Sequence, residues 1–458
     1  MPDTLSEHRG ELYTFISEAK FTQPLILEGL ENVPQREYNI NVCFYYMEVN
    51  MSFATTTEMA EKWSISRRRI TRLCGEGRID GAVLKGNTWL IPDSTEKPDD
   101  PRRIRRNMQN TFYNIVYPVK EKKFSTIELF AGAGGLALGV EEAGFNTIGL
   151  IEFDRDACDT LKKNRPNWRV ICDDIANISK LDLEDYFGIK RGELDLLSGG
   201  APCQAFSYAG KRLGLEDARG TLFYHYAIFL EKLQPKMFLF ENVRGLLTHD
   251  HGKTYQTMLE IFENAGYDIQ KQVLNAWDYG VAQKRERLIT IGIRKDLKEK
   301  ITFEFPEAHD YKPVLRDILE NVPESIGVPY GKTKRKLFEL VPAGGYWRDI
   351  DPELAKAYMK SCWDMEGGRT GILRRLSMDE PSLTVLTSPS QKQTERCHPL
   401  EARPFTVREN ARCQSFPDSW EFCGKAMSQY KQVGNAVPVN LGYEVANMIY
   451  EALEGEED

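Results

Sequence analysis

The stretch FSTIELFAGAGGLALGVEEAG, Phe124–Gly144, passes from an apolar strand through a glycine loop into a helix. The alternation continues in NTIGLIEF, DACDTLKKN, WRVICDDI and LDLLSGG, each a short apolar strand or a helical run. Such repetition implies an α/β fold, a doubly wound Rossmann-like sheet with parallel strands. Ligands on sheets of this kind gather at the carboxyl ends of the strands.

Within FAGAGGLA, Gly132, Gly134 and Ala137 satisfy the GxGxxG/A pattern of dinucleotide-binding loops, whose glycines let backbone approach a ligand. Glu152 follows Gly132 by 20 positions at the end of the next strand, where a carboxylate can accept both ribose hydroxyls. Asp174 ends the third strand. The set fits an adenosine-containing ligand, and a nicotinamide cofactor and S-adenosylmethionine both satisfy it.

The run GGAPCQAFS, Gly199–Ser207, places Cys203 after an apolar strand, on the side where the glycine loop lies. Gly199, Gly200 and Pro202 mark a loop held close to a ligand, unlike the settings of Cys158 and Cys172, which fall inside regular elements. A thiol with a pKa of about 8.5 is mostly protonated at neutral pH, so a nucleophilic cysteine needs positive charge or a dipole nearby. In VAQKRERLITIGI, Arg285 and Arg287 alternate with Lys284 and Glu286 and can share one side of a strand; an edge strand with solvated charges explains the run equally well. Glu241 ends the apolar strand KMFLFENV, where a carboxylate is costly unless paired or functional, although a capped helix start also accounts for it.

The 458 residues suggest more than one domain, and 41% hydrophobic content supports a sizeable core. Nine cysteines without a CxxC pair or spaced histidines suggest neither a disulfide framework nor a metal site. No apolar run approaches the ~20 residues of a membrane span, and a soluble cytoplasmic protein of a bacterium or archaeon is expected. The net charge of −8 conceals a basic stretch between Pro101 and Lys123 and an acidic tail, EGEED.

Residues 1–50 carry no motif. Thr55–Pro92, TTTEMAEKWSISRRRITRLCGEGRIDGAVLKGNTWLIP, opens with a Thr55/Glu58 capping box and continues as two short helices and a hairpin around Lys85–Asn87. It resembles the helix-turn-helix of excisionase-like and winged regulators, whose second helix enters the major groove; Arg67, Arg68 and Arg72 would then face DNA. A helical pair used for protein contacts is the competing reading. The expected division is an amino-terminal extension (1–50), the helix-turn-helix (51–95), a linker (96–123), a catalytic domain (124–300), a smaller irregular target-recognition domain (301–402) and a return completing the catalytic domain (403–458).

The ordered set FAGAGG, GGAPCQAFS, ENV, QKRERL, RPFTVRENARCQSFPDSW and QVGNAVPVNLG resembles the DNA (cytosine-5)-methyltransferases from about Phe124 to Ala452. One departure is Val439, where that family usually has a second proline. The resemblance implies S-adenosylmethionine held by Phe130, Gly132, Gly134, Gly135, Glu152, Phe153, Asp174, Ile175, Pro202, Leu222 and Asn435. It implies Cys203 as the nucleophile and Glu241, Arg285 and Arg287 as groups gripping a flipped cytosine. Contacts to double-stranded DNA fall to Gln204 and Ser207, with Arg369, Arg374 and Arg375 expected from the irregular domain. The implied role is modification in a restriction–modification system beside a cognate endonuclease, with operator DNA as a second ligand of the amino-terminal unit. The alternatives are an RNA (cytosine-5)-methyltransferase, a transcriptional regulator built on this scaffold and, more remotely, a nicotinamide dehydrogenase.

Overall fold

The computed structural model describes residues 52–63, 67–75, 79, 81–86, 88–95, 117, 120–201, 222–364, 369–391 and 394–457. The extension 1–50 and most of the linker lie outside the described residues. Two compact units divide the chain, Met1–Met108 and Gln109–Asp458.

In the first unit, strand β1 (Phe53–Thr55) leads into helix α1 (Thr56–Trp63), and α2 (Arg67–Gly75) precedes a hairpin of β2 (Val83–Lys85) and β3 (Thr88–Pro92). β3 pairs antiparallel with both β1 and β2. Thr55 N–H donates to Glu58 Oε2 at 2.7 Å and Glu58 N–H to Thr55 Oγ1 at 3.3 Å, so each residue satisfies a donor that the helix start leaves open. Met59, Trp63, Ile70, Leu73 and Ile91 form its core.

The second unit is built on strands β4 (Phe124–Leu129), β5 (Phe145–Glu152), β6 (Val170–Cys172), β7 (Leu196–Gly199), β8 (Met237–Val243) and β9 (Tyr267–Asn275). β10 (Gln283–Lys284) and β11 (Glu286–Arg294) follow, and β11 completes a seven-stranded sheet of order β6-β5-β4-β7-β8-β11-β9. The expected parallel strands make up the sheet except for β11, which runs antiparallel to β8 and to β9. A parallel return needs a helical crossover, whereas β9 reaches β11 through the short segment Ala276–Arg285.

Connecting helices are α3 (Gly135–Glu142), α4 (Arg155–Asn164), α5 (Ile175–Ile178), α6 (Leu183–Phe187), α7 (Leu222–Leu233) and α8 (Lys253–Asn264). Ile178, Leu183, Phe223, Phe229, Met258 and Phe262 cover one face of the sheet. Val140 of α3 covers the other, together with Leu441, Val445, Ile449 and Leu453 of the final helix.

Beyond β11 come α9 (Leu315–Ile318), α10 (Lys332–Leu340), α11 (Pro352–Met359) and β12 (Ser382–Leu383). A separate small core joins Tyr330, Phe338, Trp347, Met359, Leu373 and Cys397. Ile301 and Phe303 instead pack into the core of the sheet, and Leu315, Ile318 and Val385 join the cluster around Trp420. The irregular domain's own core is therefore narrower than the 301–402 segment.

The return consists of α12 (Val407–Cys413), α13 (Ala426–Asn435) and α14 (Val439–Glu457). α14 meets α3 backbone to backbone: a Cβ on Gly139 would lie 2.5 Å from Tyr443 N and 2.6 Å from Val439 O. Val439 N–H donates to Gln414 O at 3.0 Å, a bond that a proline at this position could not make.

Glu128, centred in β4 between Leu150 and Ser198, is buried, and burial pushes its carboxyl well above the ordinary range. A carboxyl raised on folding contributes fully below the unfolded pKa of about 4.3, and its contribution falls as pH climbs from there towards the raised folded pKa. Urea denaturation should accordingly show Glu128→Gln gaining stability relative to wild type as pH rises from 4 to 8, and a constant difference between the two would contradict a protonated Glu128.

Candidate active site

The glycine loop leaves β4 through an unusual backbone. Phe130 takes φ +58°, Gly132 +55° and Gly134 +86°. A positive φ at a bulky phenylalanine is strained, and such residues concentrate where a ligand must be met. The glycines do different work. A Cβ on Gly134 would lie 2.6 Å from Leu161 Cδ2 and 3.0 Å from the Trp420 ring, and one on Gly135 would lie 2.1 Å from Val437 O. Those two admit the protein's own return segment, and Trp420 Nε1 donates to Ala133 O at 3.2 Å. At Gly132 nothing lies within 4 Å of a Cβ, so that backbone faces open space.

Around this opening stand the ends of β5 and β6. Glu152 Oε2 accepts Gly132 N–H at 2.7 Å, and Oε1 accepts the N–H groups of Phe153 at 2.9 Å and Asp154 at 2.7 Å. The carboxylate thus ties the loop to β5, and Oε2, with a single N–H on it, retains a lone pair for a hydroxyl. Phe153 is 73% exposed, a flat apolar face with the shape of an adenine platform. Asp174 does not end a strand as expected. β6 stops at Cys172, and Asp174 caps α5 by accepting Ala176 N–H at 2.9 Å, with Ile175 buried behind it. Leu222 is partly buried at the start of α7, and Asn435 is exposed at the end of α13. Open backbone at Gly132, an exposed ring, one carboxylate at the end of β5 and another capping α5 fit an adenosine-bearing cofactor.

The glycine pair at the end of β7 has a steric explanation. Gly199 adopts φ +145°, and a Cβ there would lie 2.3 Å from Leu129 O; one on Gly200 would lie 2.7 Å from Glu241 Oε2 and 2.8 Å from Glu241 O. The chain leading to Cys203 can pass between the ends of β4 and β8 only without side chains. Asn242 Nδ2 then donates to Ala201 O at 3.0 Å, fixing the residue before Pro202. Asn242 was not among the expected site residues, although its place at the end of an apolar strand was the available signal. Pro202, Cys203, Gln204 and Ser207 lie outside the described residues.

Glu241 and Arg287 are brought together: Arg287 Nε lies 2.7 Å from Glu241 Oε1 in an ion pair whose side chains are only 11% and 14% exposed. Register makes this possible, because β11 pairs Arg287 with Val243 and Ile289 with Glu241. Arg285, expected beside them on a cytosine, is aimed elsewhere. It is buried and donates to Gly434 O and Ala436 O at 3.0 Å and to Val385 O at 3.5 Å. Burial and the neighbouring Arg287 pull its guanidinium well below the ordinary value.

The arginines expected on DNA divide likewise. Arg375 is an internal brace, donating to Pro399 O at 3.1 Å and to Phe338 O and Val341 O at 3.0 Å. Arg369 bonds the carbonyls of Cys362 and Trp363 and lies over the Trp347 ring. Both guanidinium groups thus serve the small domain's own packing. Arg374 lies 3.9 Å from Glu380 and retains donors for another partner. Arg67 is exposed, while the side chains of Arg68 and Arg72 lie outside the described residues. Cys158 is buried and donates to Glu152 O at 3.4 Å; burial and the adjacent Cys172 thiol push its thiol up, away from nucleophilic use.

The sequence profile of the C-5 cytosine-specific DNA methylases matches residues 124–451. Type II methyltransferase M.Sau96I of Staphylococcus aureus is 47% identical over 405 residues, covering 86% of this chain and 93% of that protein. M.PspPI of Psychrobacter is 44% identical over 86% of this chain and 95% of its own, and M.Eco47II of Escherichia coli is 48% identical over 73% and 81%. Among solved structures, a DNA modification methyltransferase encoded within an E. coli prophage shares the fold with a TM-score of 0.54 at 22% identity, covering 72% of this chain and all of that one. Among the described residues no helix is long and apolar enough to cross a membrane.

Proposed function

The chain belongs to the C-5 cytosine-specific DNA methylase family, and on that premise we propose how its residues divide the work of methylating cytosine in DNA. It is a DNA (cytosine-5)-methyltransferase of a restriction–modification system, and DNA is its substrate. The RNA and regulator readings are not favoured, since the matched family modifies DNA and the relatives are Type II methyltransferases. The observation that supports the assignment of roles is the passage of Gly199–Gly200 between the end of β4, where the glycine loop begins, and Glu241 of the Glu241–Arg287 pair, three residues before Cys203 in the chain.

S-adenosylmethionine, when bound, supplies a methyl group on a sulfonium. Phe130, Gly132, Glu152, Phe153, Asp174, Ile175, Pro202, Leu222 and Asn435 are the residues to which we assign its binding. Gly134 and Gly135 support the glycine loop from behind. Carbon 5 of cytosine is too weak a nucleophile for direct attack. Cys203 answers this by adding its thiolate to carbon 6, which turns the ring into an enamine reactive at carbon 5. Glu241 faces N3 and supplies the hydrogen bond, with its proton, that relieves charge building on the ring, while Arg287 fixes the carboxyl and reaches O2. Once carbon 5 carries the methyl group, water takes its proton and the thiolate leaves carbon 6 by elimination, which restores the aromatic ring. Because this thiol cannot reach a stacked base, the cytosine is flipped out, and Gln204, Ser207 and Arg374 are the candidates for holding the DNA that remains.

The first unit adds a second activity in this reading. α2 has no acid in its first turn and presents Arg67 to solvent, which suits a helix set in the major groove of an operator controlling the enzyme's own gene. The match to the S. aureus relative is longer than the whole stretch from Phe124 to Asp458, so it reaches upstream into this part of the chain. A cognate endonuclease cutting the same DNA sequence would complete the system without touching this protein.

Two outcomes are expected. DNA made with 5-fluorocytosine should become covalently bound to the wild type in the presence of S-adenosylmethionine, since fluorine cannot leave as a proton does, and Cys203→Ala should bind the cofactor but trap nothing. Trapping by Cys203→Ala would remove that residue from the mechanism. Deleting residues 1–95 should leave methylation intact and abolish a footprint upstream of the coding region, whereas a footprint that persists would exclude the operator role.

A further inference from the structure

Arg285 is a buried cation without a carboxylate in ion-pair contact among the described residues, although Glu241 is near enough to favour its charge. Burying a charge is costly unless it is bonded in full, so its neighbours matter. Its acceptors are the carbonyls of Gly434 and Ala436, the two residues that flank Asn435, and the carbonyl of Val385, just beyond β12. Gln283, two residues earlier and fully buried, works in parallel. Its Oε1 accepts Val385 N–H at 2.8 Å, and its Nε2 donates to Cys413 O and Gln414 Oε1, both at 2.8 Å. Gln414 Nε2 in turn donates to Val433 O at 2.8 Å and Ala436 O at 3.0 Å. The two backbones these groups join already touch, for a Cβ on Gly434 would lie 2.4 Å from Leu386 O.

We propose that Arg285 is a positioning residue for the cofactor side of the reaction: by gripping the peptides on both sides of Asn435 and tying them to Val385, it sets the Asn435 turn against the Val385–Leu386 segment. Arg287, two residues along, holds the base side through Glu241. One short stretch, Gln283–Arg287, then sets the cofactor turn with one arginine and the cytosine pocket with the other. The inference rests on the reading above in which Asn435 meets S-adenosylmethionine and Glu241 meets the base.

Lysine keeps the charge of arginine but lacks the planar fork that can satisfy several carbonyls at once. Full-length Arg285→Lys and Arg287→Lys, each corrected for its folded fraction by circular dichroism, are compared with wild type in two assays. S-adenosylhomocysteine is titrated without DNA, and methylation of kilobase-long mixed-sequence DNA is followed at varied S-adenosylmethionine. For Arg285→Lys the cofactor Kd and KM should rise roughly tenfold, the scale of losing charge-assisted hydrogen bonds, while turnover at saturating cofactor returns to within roughly threefold of wild type. Arg287→Lys should show the reverse split, with cofactor binding kept and turnover lost. Gly434→Ala tests the same link with Arg285 left in place, since the added Cβ must part Asn435's turn from Leu386, and it should raise the same KM. Cofactor affinity in Arg285→Lys within roughly twofold of wild type would overturn the proposal. A wild type that binds no S-adenosylhomocysteine would refute instead the functional reading beneath it.

Discussion

The close approach of bare backbone at Gly199 and Gly200 is the constraint on which the rest of the site depends. Three strand ends must meet for a thiol, a cofactor and a base to share one space, and side chains at either glycine would drive them apart by contacts of 2.3–2.8 Å. The parallel pairing of β7 with both β4 and β8 aligns those ends, and Asn242 then fixes the departing chain through Ala201. A sheet built by right-handed crossovers offers this convergence at its carboxyl edge, which is why chemistry collects there.

The same economy of side chains joins the two ends of the unit. Gly135 and Gly139 let α3 lie directly on the Val437–Tyr443 backbone, so the last segment of the chain is a wall of the first glycine loop. Trp420 closes that wall from the other side. Residues more than 280 positions apart therefore form a single loop environment, and the irregular domain is inserted between them with a small core of its own. Buried polar groups, Gln283, Arg285 and Gln414 among them, bond the seams in place of apolar packing. Such groups tolerate few alternative arrangements, because any shift leaves a buried donor unsatisfied.

Much of this was legible in the chain. The Phe124–Gly144 pattern specified strand, loop and helix, because apolar periodicity and glycine placement act locally. Glu152 and Glu241 stood out as carboxylates where apolar strands stop. The antiparallel edge was not legible, since the direction of β11 depends on a connection too short for a helix, and apolar strands of either direction look alike. Gly134 and Gly135 read as ligand glycines although they face the protein's own return segment, a contact across almost the whole chain. Arg285 and Arg375 looked like solvent-facing or ligand-facing cations because nothing in a sequence shows that a guanidinium will be surrounded by main-chain carbonyls. The burial of Glu128 is illegible for the same reason, since it comes from the strands on either side, whereas the place of Asn242 at the end of an apolar strand is a signal the sequence does carry.

Bisulfite sequencing of DNA from cells expressing the full chain tests the central claim most directly. If the convergence of β4, β7 and β8 is the active site of a cytosine-5 enzyme, cytosines within one recurrent short sequence will resist conversion in those cells and convert in cells expressing Cys203→Ala. Uniform conversion in both, or equal protection in both, would contradict it.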